Sequence, residues 1–315
     1  ERGLPVLRTE TGRWLALAPE QVREAQQRLS TWGMRGGGRF LMPEARRLAR
    51  EGCTALGATV SRQSLAVVDR LVRLPPRPVP TLDPALAPVL RDYQRQGFEF
   101  LAERWAASVG AILADDMGLG KTLQALALIA SMPKQKRQEE NAGRGVLIVC
   151  PASVVSVWLG EAAKFCPGLR CQAYLGVPEV RKRLLETDDW ECLVTTYGMV
   201  RSDIDLIAGH TFELIVLDEA QTIKNPAAKV SVAVRGLRAP ARIALTGTPL
   251  ENRLLDFWSI MDFLNPGFLG SREEFQSSCV LAGLEMAVAL RQRIAPLLMR
   301  RTKDLVAKEL PLRTE

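Results

Sequence analysis

Short apolar runs alternate with longer mixed segments over most of the chain after residue 80. The apolar runs predict buried strands, and the segments between them predict helices. The predicted strands are Gly110–Ala114, Val146–Cys150, Cys192–Thr195, Glu213–Leu217 and Arg242–Leu245; the predicted helices are Asp92–Ala107, Lys121–Ser131, Ser153–Phe165, Pro178–Glu186 and Pro226–Gly236. Short apolar strands that alternate with helices favour an α/β fold, in which a mostly parallel sheet is covered on both faces by helices.

The first 80 residues have a different organisation. They hold a predicted strand and two predicted helices, at Trp14–Leu17, Glu20–Trp32 and Pro43–Glu51. The proline-rich stretch Leu74–Pro80 predicts a stiff linker, because proline continues neither a helix nor a central strand. We therefore predict a small α-rich accessory segment at residues 1–80, followed by an α/β lobe at residues 81–315.

Composition and charge narrow the class of protein. A hydrophobic content of 47% with 24% charged residues is typical of a soluble globular protein, and no run approaches the ~20 apolar residues of a membrane span. Six cysteines without C-x-x-C spacing and a single histidine argue against zinc. We expect a reduced, cytoplasmic location, nucleoid-associated if the source is bacterial, and no membrane partner.

The net charge of +7 lies entirely in the accessory segment, which holds 14 arginines, no lysine and 7 acidic residues. A basic surface of this kind suits nucleic-acid phosphates. An arginine-rich, solvated helix face gives the same count without any partner, so both interpretations stay open.

The segment Asp115–Thr122 joins a predicted strand to a predicted helix and is rich in glycine. Backbone N–H groups of such a turn, the helix N-terminus and the Lys121 ammonium together cradle a triphosphate, and the Thr122 hydroxyl can ligate Mg²⁺. The strict phosphate-loop pattern has glycine where this chain has Asp115. A surface turn therefore remains an alternative for this segment taken alone.

A second motif supports the first. The predicted strand Glu213–Leu217 ends in the acidic pair Asp218 and Glu219. Ligands bind at the carboxyl ends of strands in parallel sheets, where both motifs fall. Asp218 is then placed to bind Mg²⁺ and Glu219 to polarise an attacking water. We predict a nucleoside triphosphate site with Lys121, Asp218 and Glu219 as its catalytic residues.

An ordered set of motifs resembles the first RecA-like motor lobe of the Swi/Snf-type ATPases, a DEAD-like group of helicase superfamily two with bacterial members. The resemblance covers about residues 88–312, with a helical extension at about 253–310. The motifs are Leu90–Gly97, Asp116–Thr122, Val149–Ser153, Val194–Tyr197, Asp218–Gln221, Leu245–Asn252, Leu264–Pro266 and Met299–Lys303. The phosphate loop of this group does not require glycine at position 115, so Asp115 agrees with the resemblance. Gln221 occupies a position at which many relatives have histidine.

The resemblance implies a role for each matching residue. It implies ATP contacts by Arg91, Gln94, Asp116, Met117, Gly118, Leu119, Gly120, Lys121 and Thr122, with Mg²⁺ held by Thr122 and Asp218. It implies contacts to the DNA backbone by Pro151, Ala152, Ser153, Thr195 and Thr196, and coupling of the two sites by Gln221, Thr246, Gly247 and Thr248. Lys224 and Asn225, just past the acidic motif, are also predicted to contact DNA phosphates.

Simpler interpretations stand beside several of these roles. Gln94 also fits a polar helix surface, and Ser153 also fits a helix N-cap. Lys224 and Asn225 also fit an ordinary charged loop. The aromatic residues Trp158, Phe257, Trp258 and Phe263 fall at apolar helix positions and are predicted to lie in the core.

The resemblance implies an ATP-dependent double-stranded DNA translocase or remodeller that contacts the phosphate backbone, with ATP and Mg²⁺ as cofactors. An RNA-polymerase-recycling or RNA-directed ATPase is an alternative. The family's second RecA-like lobe, which supplies an arginine finger, is not recognisable in these 315 residues. A single lobe is therefore also expected to act as a nucleotide- and DNA-binding module with little or no turnover.

Overall fold

The computed structural model describes residues 77–133, 145–187, 189–247, 254–277 and 294–306, with the backbone of two short strands near the N-terminus. These strands, β1 (Val6–Arg8) and β2 (Trp14–Ala16), pair antiparallel. The predicted strand at Trp14–Leu17 is thus confirmed, and it ends one residue earlier. Both predicted accessory helices, and with them the α-rich character of this segment, lie outside the described residues.

The chain divides into two compact units, Glu1–Ser61 and Arg62–Glu315. This division falls earlier than the predicted boundary at residue 80. The end of the proline-rich stretch packs on the rest of the larger unit, which explains part of this difference. There the backbone N–H of Arg77 donates to the carbonyl of Ala106 over 3.3 Å, and the side chain of Pro80 is buried.

Among the described residues, seven strands form the sheet of the larger unit, and every neighbouring pair is parallel. They are β3 (Ala111–Leu113), β4 (Val146–Cys150), β5 (Cys171–Ala173), β6 (Cys192–Thr196), β7 (Leu214–Leu217), β8 (Ala241–Leu245) and β9 (Leu298–Met299), in the order β5-β6-β4-β7-β8-β3-β9. The predicted parallel sheet is confirmed. Strands β3, β4 and β7 are apolar at every position because both of their faces are buried.

The two outermost strands, β5 and β9, were not predicted. They are three and two residues long and only partly buried, so neither is long enough to show a strand pattern in the sequence.

The described part of the larger unit contains eight α-helices: α1 (Asp92–Ala106), α2 (Lys121–Ser131), α3 (Val155–Phe165), α4 (Pro178–Glu186), α5 (Tyr197–Ser202), α6 (Ile204–Ile207), α7 (Lys229–Gly236) and α8 (Leu254–Leu264). Single 3-10 turns occur at Ala152–Val154, Ala220–Ile223 and Ala295–Leu297. The first of these delays the start of α3 by two residues relative to the prediction.

Two groups of helices cover the sheet. Helix α2 contacts both α1 and α3, and the three helices share a core with alternate strand residues such as Ile148, Val216 and Ile243. The intervening strand residues, among them Leu147 and Ile215, are equally buried and point to the opposite face. Helices α5, α7 and α8 contact one another and strands β4, β6 and β8. None of the described helices is long and apolar enough to cross a membrane.

Candidate nucleotide site

The predicted phosphate loop lies between the end of β3 and the start of α2. Gly118 and Gly120 have φ angles of +87° and +73°, a left-handed backbone that favours glycine. A Cβ at Gly120 would also come within 2.4 Å of Gln94 Nε2, whereas the nearest atom to a Cβ at Gly118 is Lys303 Cε at 3.9 Å. The glycines thus allow both the turn and the close approach of α1.

The Lys121 ammonium is folded back onto its own loop. Its Nζ donates to the carbonyls of Asp115 at 2.7 Å and of Asp116 at 3.2 Å. Burial lowers the pKa of Lys121, and the nearby carboxylates of Glu219, Asp115, Asp218 and Asp116 oppose that shift. The lysine charge therefore lies within electrostatic reach of the acidic motif, as a phosphate-binding cation requires.

Asp218 follows β7 directly and is held by three neighbours. Its Oδ2 accepts from Trp158 Nε1 at 2.8 Å, and its Oδ1 accepts from the backbone N–H of Glu219 at 2.9 Å. The Tyr197 hydroxyl donates to the Asp218 carbonyl at 2.7 Å. Burial raises the pKa of Asp218, and the Trp158 hydrogen bond opposes this shift. The carboxylate is fixed in orientation.

Glu219 has an unusual backbone, with φ of 48° and ψ of 54°. Among the described non-glycine residues, only Ser108 shares a positive φ. Left-handed backbone costs energy for a residue with a Cβ and is concentrated at functional sites. The turn places the Glu219 side chain beside Gln221, whose Nε2 donates to Glu219 Oε2 at 2.6 Å.

Gln221 in turn connects the acidic motif to the end of β8. Its Oε1 accepts from the Thr246 hydroxyl at 2.8 Å. Strand β8 lies between β3 and β7, so Thr246 stands between the phosphate loop and the acidic motif. Two predicted coupling residues, Gln221 and Thr246, are thus joined to Glu219 by a continuous chain of hydrogen bonds.

The other two predicted coupling residues are less informative. Gly247 lies opposite the exposed Met117, whose Cγ would be 3.2 Å from a Cβ at this glycine. Thr248 lies outside the described residues.

Gln94 is buried and bridges α1 to the phosphate loop. Its Oε1 accepts from the backbone N–H of Arg91 at 3.1 Å, and its Nε2 donates to the Leu119 carbonyl at 3.4 Å. The alternative of a solvated helix surface is wrong, since Gln94 is 7% exposed. Arg91 itself is exposed at the start of the helix.

Asp115, at the position where the strict pattern has glycine, is fully buried and paired with Arg301. The backbone N–H and Nε of Arg301 donate to Asp115 Oδ1 at 3.1 and 3.0 Å, and its Nη2 donates to Oδ2. Gln124 joins the pair by accepting from Arg301 at 2.8 Å and donating to Asp115 at 3.3 Å. We call these three residues the loop anchor.

The backbone around the loop anchor is equally constrained. The Asp116 N–H donates to the Arg301 carbonyl at 2.9 Å, and the Lys303 N–H donates to Asp116 Oδ2 at 3.1 Å. A Cβ at Gly97 would lie 1.7 Å from Gln124 Oε1 and 2.8 Å from Arg301 Nη2, so a side chain there would displace the loop anchor. Sequence reasoning missed this set, although the departure from the glycine pattern at Asp115 was a signal for it.

The predicted DNA contacts separate into exposed and buried residues. Ala152 and Ser153 are exposed and Pro151 is partly exposed at the start of α3, and Lys224 and Asn225 are exposed beyond the acidic motif. Ser153 lies within the 3-10 turn, and the N-cap of α3 is Val154, which provides no side-chain cap.

The two predicted threonine contacts both have structural partners. Thr195 is fully buried, and its hydroxyl donates to the Tyr174 carbonyl at 2.9 Å, so the expectation that this side chain meets DNA is not met. Thr196 is partly exposed, and its hydroxyl accepts from the Met199 N–H at 3.1 Å as the N-cap of α5.

The four aromatic residues predicted for the core are buried. Trp158 nevertheless has a polar role that its apolar position did not suggest, because its indole N–H binds Asp218. The missed signal is chemical: a buried indole N–H usually has a partner.

The donor set fits a nucleotide with Mg²⁺. Mg²⁺ binds oxygen ligands and is usually held by one or two carboxylates together with substrate phosphates. Thr122, in the first turn of α2, and Asp218, at the end of β7, supply a hydroxyl and a carboxylate, and both are partly exposed. The glycine turn and Lys121 supply donors and positive charge for the phosphates.

Comparison with known proteins agrees with this geometry. Residues 93–315 match the family model of the SNF2-related domain. The chain is 36% identical over 251 residues to the TATA-binding protein-associated factor mot1 of Aspergillus fumigatus, covering 72% of this chain and 13% of that protein. It is 36% identical over 265 residues to the putative ATP-dependent helicase/translocase YwqA of Bacillus subtilis, covering 81% and 28%.

A solved structure gives the same result for the fold. The Sulfolobus solfataricus SWI2/SNF2 ATPase core in complex with dsDNA superposes with a TM-score of 0.62 at 39% identity, covering 76% of this chain and 48% of that one. The chain thus spans a minor part of its curated relatives and about half of the solved core. The chain belongs to the SNF2-related domain family, and its parallel sheet is the RecA-like ATPase lobe of that family.

Proposed function

We propose that this chain is the ATP-binding lobe of an ATP-dependent double-stranded DNA translocase or remodeller, and that it acts in the cytoplasm or on the nucleoid. The observation that carries the proposal is the meeting of three motifs at the carboxyl ends of β3, β8 and β7. There the phosphate loop, Thr246 and the acidic motif are neighbours, and hydrogen bonds join Thr246 through Gln221 to Glu219.

Each residue of the site has a distinct task in phosphoryl transfer. Lys121 and the N–H groups of the glycine turn bind the β- and γ-phosphates. Thr122 and Asp218 hold Mg²⁺, which neutralises charge on the phosphate oxygens when it is bound. Glu219 orients and polarises the attacking water, and the Gln221 amide holds the Glu219 carboxylate in place for it.

The same chain of hydrogen bonds suits communication between hydrolysis and DNA. Thr246 stands at the end of β8 beside the site of the γ-phosphate, and its side chain is fully buried. Loss of the γ-phosphate changes the surroundings of the Glu219 carboxylate. The hydrogen bonds between Glu219 and Gln221 and between Gln221 and Thr246 transmit this change to the end of β8. We assign these two residues the coupling role.

Contact with DNA is assigned to exposed groups that suit phosphates. Ala152 and Ser153 lie at the exposed start of α3, and Lys224 with Asn225 follows the acidic motif. Hydroxyl groups, backbone N–H groups and cations bind the DNA backbone without reading its bases. The solved relative bound to dsDNA supports a duplex as the partner.

Efficient turnover further requires a second RecA-like lobe that closes over the nucleotide. In related phosphoryl-transfer enzymes an arginine finger is worth about 10³–10⁵ in rate. We assign residues 81–315 to one lobe, so the chain of residues 1–315 is expected to bind ATP weakly and to hydrolyse it slowly, with little stimulation by DNA.

The proposal is tested by separating binding from hydrolysis. Lys121→Ala should abolish ATP binding, because it removes a charge that meets the phosphates in the ground state. Glu219→Gln should keep ATP binding and lose hydrolysis, because water activation is needed only in the transition state. Calorimetric ATP titrations of both variants measure the first property, and turnover in a protein with both lobes measures the second.

Equal loss of ATP affinity in the two variants would contradict the assigned roles. Stimulation of that turnover by RNA and not by duplex DNA would replace the DNA translocase with an RNA-directed ATPase. Hydrolysis by residues 1–315 as fast as by the DNA-activated two-lobe protein would show that the lobe is a self-contained enzyme.

A further inference from the structure

The indole of Trp158 is directed at the acidic motif and not into the apolar core alone. The residue is 1% exposed, and its Nε1 donates to Asp218 Oδ2 at 2.8 Å. The other carboxylate oxygen, Oδ1, accepts from the Glu219 N–H at 2.9 Å. Each oxygen thus has one donor among the residues that the structure describes, which fixes the plane of the carboxylate and leaves a lone pair on each oxygen for a further ligand.

Trp158 reaches this carboxylate from a separate element. It lies on α3, whereas Asp218 is 60 residues further along the chain and follows β7. The Tyr197 hydroxyl holds the Asp218 carbonyl from α5. Residues from two helices therefore converge on Asp218, Trp158 at its carboxylate and Tyr197 at its backbone carbonyl, an arrangement that apolar packing alone does not require.

We propose that Trp158 is a positioning residue for the Mg²⁺ site. Its hydrogen bond holds Asp218 in the orientation in which this carboxylate, together with Thr122, binds the ion. The proposal rests on the ATP and Mg²⁺ site proposed above and adds α3 to it. An indole N–H is only a donor, so Trp158 does not ligate the ion itself. Loss of a hydrogen-bond partner of a metal ligand typically costs about 10–100-fold in metal affinity.

The chain offers a matched control for this residue. Trp105, in the last turn of α1, is 2% exposed, and its Nε1 has no hydrogen-bond partner among the described residues. Trp158→Phe and Trp105→Phe each replace a buried indole by a smaller ring. Only the first removes a hydrogen bond, so packing effects common to both variants cancel in the comparison.

The measurement is ADP affinity by calorimetry, with Mg²⁺ and with EDTA in place of Mg²⁺. In wild type and Trp105→Phe, Mg²⁺ should raise ADP affinity by the same factor. In Trp158→Phe that factor should fall about 10-fold, while ADP affinity in EDTA stays at the wild-type value. In an Asp218→Asn background, Trp158→Phe should cause no further loss of the Mg²⁺ effect, since the two residues act through one ligand.

Several results overturn the proposal. An unchanged Mg²⁺ effect in Trp158→Phe, or an equal loss of ADP affinity with and without Mg²⁺, shows that the residue only packs. An additional loss in the Asp218→Asn background shows that it does not act through Asp218. If wild type binds no ADP in either buffer, the ATP site fails as well, which distinguishes that failure from failure of Trp158 alone.

A measurement on wild type covers the case in which Trp158→Phe does not fold. The sequence has six tryptophans, so the indole N–H region of a nitrogen–proton correlation spectrum holds six signals. Paramagnetic Mn²⁺ bound with ADP should broaden first the indole whose N–H donates to a metal ligand. Broadening of one indole signal supports the proposal, and a spectrum in which no indole signal broadens overturns it.

Discussion

Breaking the loop anchor should lower both the stability of the lobe and its affinity for nucleotide. Asp115→Asn leaves the Arg301 guanidinium buried without a countercharge while keeping the size of the side chain. The Arg301 side chain is 11% exposed and that of Asp115 is fully buried, so solvent can compensate little. Removing one partner of a buried ion pair typically costs about 3–5 kcal/mol.

The magnitude translates into a measurable shift. For domains of roughly this size, 1 kcal/mol changes Tm by about 2–4 °C, so we expect Tm to fall by about 6–20 °C. Asp115 also accepts hydrogen bonds from the segment that holds the Asp116 backbone. The phosphate loop therefore loses its support, and ADP affinity should fall at a temperature where the variant is still folded.

Asp203→Asn is the matched control. Asp203 pairs with Arg181 in an equally buried ion pair, whose side chains are 7% and 8% exposed. The Arg181 guanidinium lowers the pKa of Asp203, and Tyr174 donates to the same carboxylate at 2.9 Å. Arg181 lies in α4, Asp203 lies between α5 and α6, and Tyr174 follows β5, so all three are away from the phosphate loop in sequence and in sheet order.

The two variants should lose similar stability, but only Asp115→Asn should lose ADP affinity. Thermal unfolding followed by circular dichroism gives the stability, and ADP calorimetry of wild type and both variants at one temperature, well below the lowest midpoint, gives the affinity. Unchanged ADP affinity in Asp115→Asn, at the expected loss of Tm, would refute the argument that this pair supports the loop. A Tm loss confined to Asp203→Asn would refute the argument from burial.

Three further predictions concern other parts of the lobe. Ser108→Gly should stabilise the protein by about 1–2 kcal/mol in urea unfolding, because it relieves a φ of 55°. It also removes a buried hydroxyl that has no hydrogen-bond partner among the described residues, and a loss of stability would contradict this prediction. Burial raises the pKa of Glu213 from 4.5 to about 7, with Arg77 opposing, so its stabilising contribution is complete below pH 4.5 and is lost as pH rises to about 7. Against Glu213→Gln, wild type should therefore lose up to about 3 kcal/mol of unfolding free energy between pH 4.5 and 8, and parallel pH profiles would refute the assignment. Duplex DNA binding should fall steeply with salt and vary little with base sequence in titrations on several duplexes, and a strong preference for one sequence at fixed salt would contradict the assigned backbone contacts.

The central part of the fold could be predicted from the sequence because its signals are local. Strands such as Val146–Cys150 are buried on both faces and are therefore apolar at every position. The phosphate loop and the acidic motif are recognisable because glycine, lysine and carboxylates are needed at fixed spacings. Position along a parallel sheet then brings the two motifs together without further information.

The remaining features depend on contacts between distant residues. Asp115 and Arg301 are 186 positions apart, and no local pattern indicates that they form a pair. The burial of Thr195 depends on the carbonyl of Tyr174 in the neighbouring chain segment, and the role of Trp158 depends on the carboxylate that follows β7. Strands β5 and β9 are recognisable only through the strands beside them.

The position of β3 in the sheet has a consequence for the order of folding. Strand β4 pairs with both β6 and β7, but Leu113 of β3 pairs with Leu245 of β8 and with Met299 of β9. Closing such long loops is entropically costly, which makes pairing between distant segments slow. During synthesis on a ribosome, β3 cannot pair until β8 and β9 have been made, more than a hundred residues later. Nucleotide binding therefore reports completion of the whole sheet, and a fluorescent ADP analogue would serve as a probe of the last step of folding.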